Sequence, residues 1–150
     1  MEITSDLIKH LREATGVSVL QCKKALEEAG GDLEAAKKIL TTKAGAAVHK
    51  KADRALAAGA VGSYVHDGTV GAMVLLSCET DFVAKNPEFT QLAKDLAMQI
   101  SAMAPASTEE LLAQPYIKDG SKEVKDLLAE AVQKFGERVE LSDFARLSAR

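Results

Sequence analysis

The chain has 150 residues, 47% hydrophobic and 27% charged, with a formal net charge of −3; that is one globular domain or two small ones, large enough to bury a core without staples. Two cysteines, Cys22 and Cys78, make neither a disulfide framework nor a zinc site, and no stretch is apolar for long enough to span a bilayer. The first third is mildly basic and the remainder acidic, too weak an asymmetry for a non-specific nucleic-acid binder, and the acidic start Met1–Asp6 has no apolar region of a signal peptide.

The first third predicts three short helices. Leu7, Ile8 and Leu11 recur at helical spacing behind Thr4 or Ser5 as cap, and Thr15-Gly16 ends the first helix. Ser18-Val19-Leu20-Gln21 reads as a capping box in which Ser18 and Gln21 satisfy each other's backbone amides. The helix it opens carries Leu20, Cys22, Ala25, Leu26 and Ala29 on its apolar side, and Gly30-Gly31 stops it. Asp32 as cap and Glu34 in the first turn suit the positive end of a third helix, whose Leu33, Ala36, Ile39 and Leu40 face inward. Turns this short force the helices into a bundle, assigned to residues 1–45. Residues 46–58 are alanine-rich and basic without an apolar stripe, and read as a partly helical linker.

Residues 59–150 predict a second unit. Val61, Tyr64 and Val65 lead into Asp67-Gly68, a two-residue hairpin signal, and out into the long apolar run Val70–Cys78. Ala72, Val74 and Leu76 alternate with Met73 and Leu75, so this strand is expected to be central and covered on both faces. Asn86-Pro87 opens a helix with the stripe Phe89, Leu92, Ala93, Leu96, Ile100 and Met103, closed by Pro105. After a short helical turn near Thr108–Ala113 and a turn at Lys118-Asp119-Gly120, Val124, Leu127, Leu128, Ala131 and Phe135 mark another amphipathic helix. Val139, Leu141, Asp143, Ala145 and Leu147 alternate as a third strand. The expected fold class is α+β: a three-helix bundle, then a ββααβ core with an antiparallel three-stranded sheet and helices on one face.

Catalytic chemistry finds little footing. His10, His49 and His66 have no partner at metal-ligand spacing, and Cys22 on a helix among apolar neighbours and Cys78 on a central strand have no basic group that activates them, so inert buried thiols are expected. No Gly-rich phosphate loop or Walker lysine is present, so no catalytic residue, metal ligand or cofactor of the chain's own is expected.

One segment stands apart. Thr80-Asp81-Phe82-Val83-Ala84-Lys85-Asn86-Pro87 joins a buried strand to a well-capped helix, so both its ends are fixed. Two readings are open. Phe82 tucks under the following helix beside Phe89 with Asp81 capping a turn, or the corner presents an aromatic wedge and a carboxylate to a partner.

The run Cys78-Glu79-Thr80-Asp81-Phe82-Val83-Ala84-Lys85-Asn86 resembles the hallmark of the bacterial-type translation elongation factor Ts family. Leu11-Arg12-Glu13-Ala14-Thr15-Gly16 and Cys22-Lys23-Lys24-Ala25-Leu26-Glu27-Glu28-Ala29-Gly30-Gly31-Asp32 resemble that family's ubiquitin-associated-like domain. Lys50-Lys51-Ala52-Asp53-Arg54 fits its basic linker, and Phe135-Gly136-Glu137-Arg138-Val139 is similar to its Gly-Glu-Asn-Ile strand start. The resemblance implies a ubiquitin-associated-like bundle and a guanine-nucleotide exchange factor that promotes GDP release from the GTPase elongation factor Tu. It places Asp81 and Phe82 near the partner's magnesium site, with Phe82 wedged between partner helices, and it places Arg12, Val19 and Leu20 on another part of the same domain. Lys23 beside them, and Thr80, Val83 and Ala84 beside the wedge, complete the implied partner-binding set. GDP, GTP and magnesium would belong to the partner.

The sequence departs from the family at Ser18-Val19-Leu20-Gln21, where Gly-Met-Met-Asp is common, and in its acidic Glu140-Leu141-Ser142-Asp143. It is also short, so a second core subdomain, a helical hairpin and a C-terminal module are expected to be missing; whether a homodimer restores a second core is open. The cytoplasm is the expected compartment, or an organelle matrix for a mature imported chain. Two other classes of function are an adaptor whose bundle binds peptides or helices without exchange activity, and an RNA contact through Lys43, His49, Lys50, Lys51 and Arg54 of the linker region, residues that more often form a solvated face; neither explains the Thr80–Asn86 corner.

Overall fold

The computed structural model of the chain describes residues 2–150. Helix α1 (Ser5–Thr15) begins where the Thr4 hydroxyl accepts from the Leu7 amide at 3.2 Å, and ends at Gly16 with φ 71°. Helix α2 (Val19–Glu28) starts behind Ser18, whose hydroxyl accepts from the Gln21 amide at 3.3 Å. Among the described residues only this half of the expected capping box forms. Helix α3 (Leu33–Lys50) is capped by the Asp32 carboxylate, which accepts from the Glu34 and Ala35 amides. Leu11, Val17, Cys22, Ala25, Leu26, Ala36 and Leu40 close the bundle's own core. Helix α3 passes through Gly45 without a break and continues five residues into the segment read as a linker. Ala44, just before that segment, is buried, and Ala47 within it packs against the second core.

That second core is built on strands β1 (Ala58–His66), β2 (Val70–Cys78) and, at the end of the chain, β5 (Glu140–Ser148), all antiparallel in the order β1-β2-β5. Between the sheet strands run α4 (Asp81–Ala84), α5 (Pro87–Met103), α6 (Thr108–Ala113), a small hairpin of β3 (Pro115–Tyr116) and β4 (Asp119–Glu123), and α7 (Val124–Phe135). The α+β class and the helices on one face of the sheet are as the sequence predicts. Helix α6 is the short helical turn expected near Thr108–Ala113, whereas α4 and the β3–β4 hairpin were not anticipated as separate elements. Four helical residues are too few to show a period, and the charged run Asp119–Glu123 shows no alternation.

Strand β2 is central, but the expectation that both its faces are covered is wrong. Ala72, Val74, Leu76 and Cys78 are buried under the helices, whereas Met73 and Leu75 are exposed on the other side. The apolar run reflects one core face and one open apolar face. The final strand does not alternate in one register either. Leu75 pairs with Asp143 and Leu76 with Leu141, so Ser142 is an extra residue at a bulge, and its hydroxyl meets that of Ser77 at 2.7 Å. Past the bulge the faces switch: Val139 and Leu141 are buried, then Phe144 packs on the core while Leu147 is 81% exposed.

Backbone requirements fix two further features. Asp67 and Gly68 both hold positive φ, 50° and 67°, the signature of the mirror-image turn. Strand pairing resumes at His66 and Val70, so Thr69 sits outside the ladder and donates its amide to the His66 carbonyl at 3.0 Å. At Gly62 the helix α5 lies directly on β1, and a Cβ there would come within 2.4 Å of the Ala93 carbonyl carbon. Helix α5 is capped by Asn86 with Pro87 in its first turn, and its buried Phe89 meets Phe135 of α7 edge-on at 5.9 Å. The buried Gln99 ties α5 to the small hairpin by accepting from the Ile117 amide at 2.9 Å and donating to the Pro115 carbonyl at 3.1 Å. Helix α7 packs along α3, so the bundle rests against the second core, where Lys134 of α7 reaches both Gly16 and the Glu88 carboxylate. Among the described residues no helix is long and apolar enough to cross a membrane.

Candidate partner-binding site

The corner between β2 and α5 is where side-chain chemistry and exposure coincide. Thr80 caps α4, its hydroxyl accepting from the Val83 amide at 3.3 Å, and the Cys78 thiol donates to the Thr80 carbonyl at 3.3 Å. A single helical turn then splits its residues by face. Val83 and Ala84 are buried in the core, while Thr80, Asp81 and Phe82 lie outside it. Phe82 is 85% exposed. The reading in which Phe82 packs beside Phe89 is excluded, because the ring against Phe89 is Phe135. Val83 and Ala84 anchor the corner from below, with their side chains in the core.

The corner is held from a distance by the connection between α7 and β5. One oxygen of the Glu137 carboxylate accepts from the amides of Glu79 and Thr80, each at 3.0 Å, and the other accepts from the Thr80 hydroxyl at 2.7 Å. In return the Glu79 carboxylate accepts from the Arg138 amide at 2.6 Å and pairs with Arg54 at 3.5 Å. The Arg138 guanidinium donates to the Arg54 carbonyl at 2.7 Å and pairs with Glu140. Two carboxylates thus cross between segments nearly sixty positions apart, each satisfying backbone donors of the other. Sequence reasoning missed this clamp, because Glu79 and Glu137 carry no local signal of each other and Phe135–Val139 reads only as the approach to a strand.

The bundle supplies a second exposed group. Arg12, Val19, Leu20 and Lys23 all lie on its surface around the turn joining α1 to α2. Val19 and Leu20, adjacent at the start of α2, are 49% and 61% exposed, although the bundle core begins two residues after Leu20, at Cys22. Among the described residues no hydrogen bond or ion pair joins this group to the corner. A third exposed apolar region is the open sheet face, formed by Val61, Val65, Met73, Leu75 and Leu147; the expectation of a covered strand hid it.

Other chemistry is sparse. Both cysteines are buried and free, and burial pushes both thiols above their ordinary range. At Cys22 the Thr15 hydroxyl and the Arg12 charge pull weakly the other way; at Cys78 the Glu137 charge adds to the rise. His66 meets the Tyr64 hydroxyl at 2.9 Å and Asp67 at 3.4 Å on the exposed hairpin. Among the described residues no group of three or more His, Cys, Asp or Glu side chains is placed to hold a metal ion.

Comparison with known proteins follows the same residues. The Elongation factor TS family matches residues 79–150, a stretch that opens at the corner. The elongation factor Ts of Thermodesulfovibrio yellowstonii is 38% identical, with 97% of this chain and 96% of that protein covered. That of Thermotoga maritima is also 38% identical with the same coverage. Both alignments run over 190 positions, more than the chain has residues, so these relatives carry internal residues with no counterpart here. The elongation factor Ts of Clostridium kluyveri is 44% identical over 147 positions, with 97% of this chain but 48% of that protein covered. Similarity at this level, over nearly the whole chain and nearly the whole of two relatives, shows that the chain belongs to the elongation factor Ts family.

Proposed function

We propose that the chain is a guanine-nucleotide exchange factor that binds elongation factor Tu and promotes release of its GDP, supporting translation elongation in the cytoplasm. The observation that carries this reading is a phenylalanine left 85% exposed on a clamped corner beside a carboxylate. A large ring held out of the core is an anchor for a partner. Burying it fully yields about 1.5–3 kcal/mol, a gain that can offset strain in the partner's nucleotide site. Asp81 brings a negative charge to the same place, where it would disturb magnesium and phosphate. Arg12, Val19, Leu20 and Lys23 provide a second grip on the same partner. Thr80 sets the corner's geometry, and Val83 and Ala84 hold it to the core.

No bond is made or broken, so the activity is exchange and not enzymic conversion; nucleotide and magnesium belong to the partner. Linkage governs the cycle. A factor that weakens nucleotide binding must itself be weakened by nucleotide in the same ratio. The test is calorimetric titration of elongation factor Tu with and without GDP. Tight binding to the nucleotide-free GTPase, weakened by added GDP, is expected; equal affinity in both states would leave the adaptor reading in its place.

A second copy of the chain is the occupant we propose for the open sheet face. Five exposed apolar side chains on one face make a patch of the kind that marks an interface, and two such faces can stack as a sandwich. Sedimentation should show a dimer that Met73→Glu disperses; a monomer at all concentrations would contradict it.

A further inference from the structure

We infer that Glu137 is a positioning residue for exchange: its carboxylate fixes the start of α4 and thereby the direction in which Phe82 and Asp81 project. The inference rests on the exchange-factor reading for its functional half and on the clamp geometry for the rest. Helix α4 has four residues, too few to hold a direction by its own hydrogen bonds. Its pose is imposed at its ends. At the far end Val83 and Ala84 are seated in the core, followed by the Asn86 cap of α5. At the near end the backbone leaves β2 at Cys78, and the next two amides, of Glu79 and Thr80, have left the strand ladder. Both donate to one oxygen of Glu137, and the Thr80 hydroxyl donates to the other.

That hydroxyl is the same atom that caps α4 by accepting from Val83. Glu137 therefore fixes the capping residue through its backbone and its side chain together. The reach is long-range: Glu137 follows Gly136, the left-handed end of α7, so the packing of α7 on the core locates the carboxylate. A corner released from Glu137 would still be connected and partly buried, yet Phe82 would have to be ordered again upon each encounter. Such disorder lowers the productive fraction of bound complexes more than it lowers first contact, which the bundle residues can make alone.

Three variants separate this role from general stability. Glu137→Ala removes all three bonds. Glu137→Asp keeps the charge but draws the carboxylate back by about 1.5 Å, one carbon–carbon bond. Glu137→Gln keeps an acceptor oxygen for both amides, and its amide nitrogen can donate to the Thr80 hydroxyl, reversing the direction of that bond. With the full chain and elongation factor Tu loaded with fluorescent GDP, Glu137→Ala and Glu137→Asp are expected to lower the maximal release rate by about tenfold or more. The half-saturating concentration should change far less, and Glu137→Gln should recover most of the rate. Wild-type maximal rates in folded Glu137→Ala, or in Glu137→Asp should the alanine variant not fold, would overturn the inference. So would a loss confined to the half-saturating concentration. If wild-type chain itself fails to release GDP, the exchange reading fails separately, and amide hydrogen exchange decides the geometry. The Glu79 and Thr80 amides should exchange about tenfold faster or more in Glu137→Ala than in wild type. Unchanged protection would overturn the clamp itself.

Discussion

Replacing Phe82 by alanine should disable exchange while leaving the fold nearly untouched, a combination that a core phenylalanine cannot give. The magnitudes follow from exposure. Full burial of a phenylalanine side chain is worth about 1.5–3 kcal/mol. With Phe82 85% exposed, its contribution to folding is under about 0.5 kcal/mol. For a chain of this size that shifts the thermal midpoint by under about 2 °C. Phe89, fully buried against Phe135, is the control. Its replacement by alanine should cost about 3–5 kcal/mol, or about 6–20 °C. Against the partner the ranking inverts. Loss of the Phe82 anchor removes about 1.5–3 kcal/mol of interaction, a fall of about 10- to 150-fold in the second-order rate of GDP release. The assay pairs thermal denaturation of each variant with release of labelled GDP from elongation factor Tu. A drop in midpoint for Phe82→Ala comparable with that of Phe89→Ala would refute the reasoning, as would a release rate within twofold of wild type.

Three further outcomes test the fold that carries this corner. Gly62→Ala must push α5 away from β1, because the added Cβ meets the Ala93 backbone; denaturant unfolding should show a loss of about 1–3 kcal/mol or more. The Tyr116 phenol is pushed up to about 12, first by burial and then by the charges of Asp95 and Asp119. Between pH 10 and 12 the unfolded chain gives up a proton that the folded chain keeps, so stability falls as pH rises through that window. Unfolding measured across the window should fall less steeply for Tyr116→Phe than for wild type. Buried Cys22 and Cys78, both with raised thiols, should resist a thiol-reactive dye in the native protein and react together on denaturation; rapid native labelling of either would contradict their placement.

Much of the fold was written in local sequence. Thr4, Ser18, Asp32 and Asn86 each cap the helix they announce, and the α5 stripe places Phe89, Ala93, Leu96 and Ile100 in the core. These signals are local because capping and amphipathicity act within one helix. What escaped depends on distant partners. Met73 and Leu75 look like core residues in a strand pattern, and only the arrangement of helices on one side shows that they face outward. The bulge at Ser142 reverses the faces of the last strand, so alternation put Leu147 on the wrong side. The three short elements α4, β3 and β4 carry too few residues for a period.

At the site the division is similar. Sequence pointed to Thr80–Asn86 as a constrained corner but left Phe82 undecided, since one aromatic after a strand fits either a core or a surface. The geometry decides it, because Phe135 occupies the place beside Phe89 and α4 turns Phe82 away. The clamp by Glu137, Glu79, Arg138 and Arg54 was invisible in sequence, since its members meet only after α7 has packed. Val83 and Ala84 stand in the motif next to the exposed pair, yet a single helical turn sends them inward.

The most direct measurement is release of labelled GDP from elongation factor Tu, in magnesium-containing buffer, as the chain is titrated to micromolar concentration. The release rate should rise with chain concentration to a plateau well above the spontaneous rate, and Phe82→Ala should abolish most of that rise. A release rate that stays at its spontaneous value throughout the titration would contradict the exchange function.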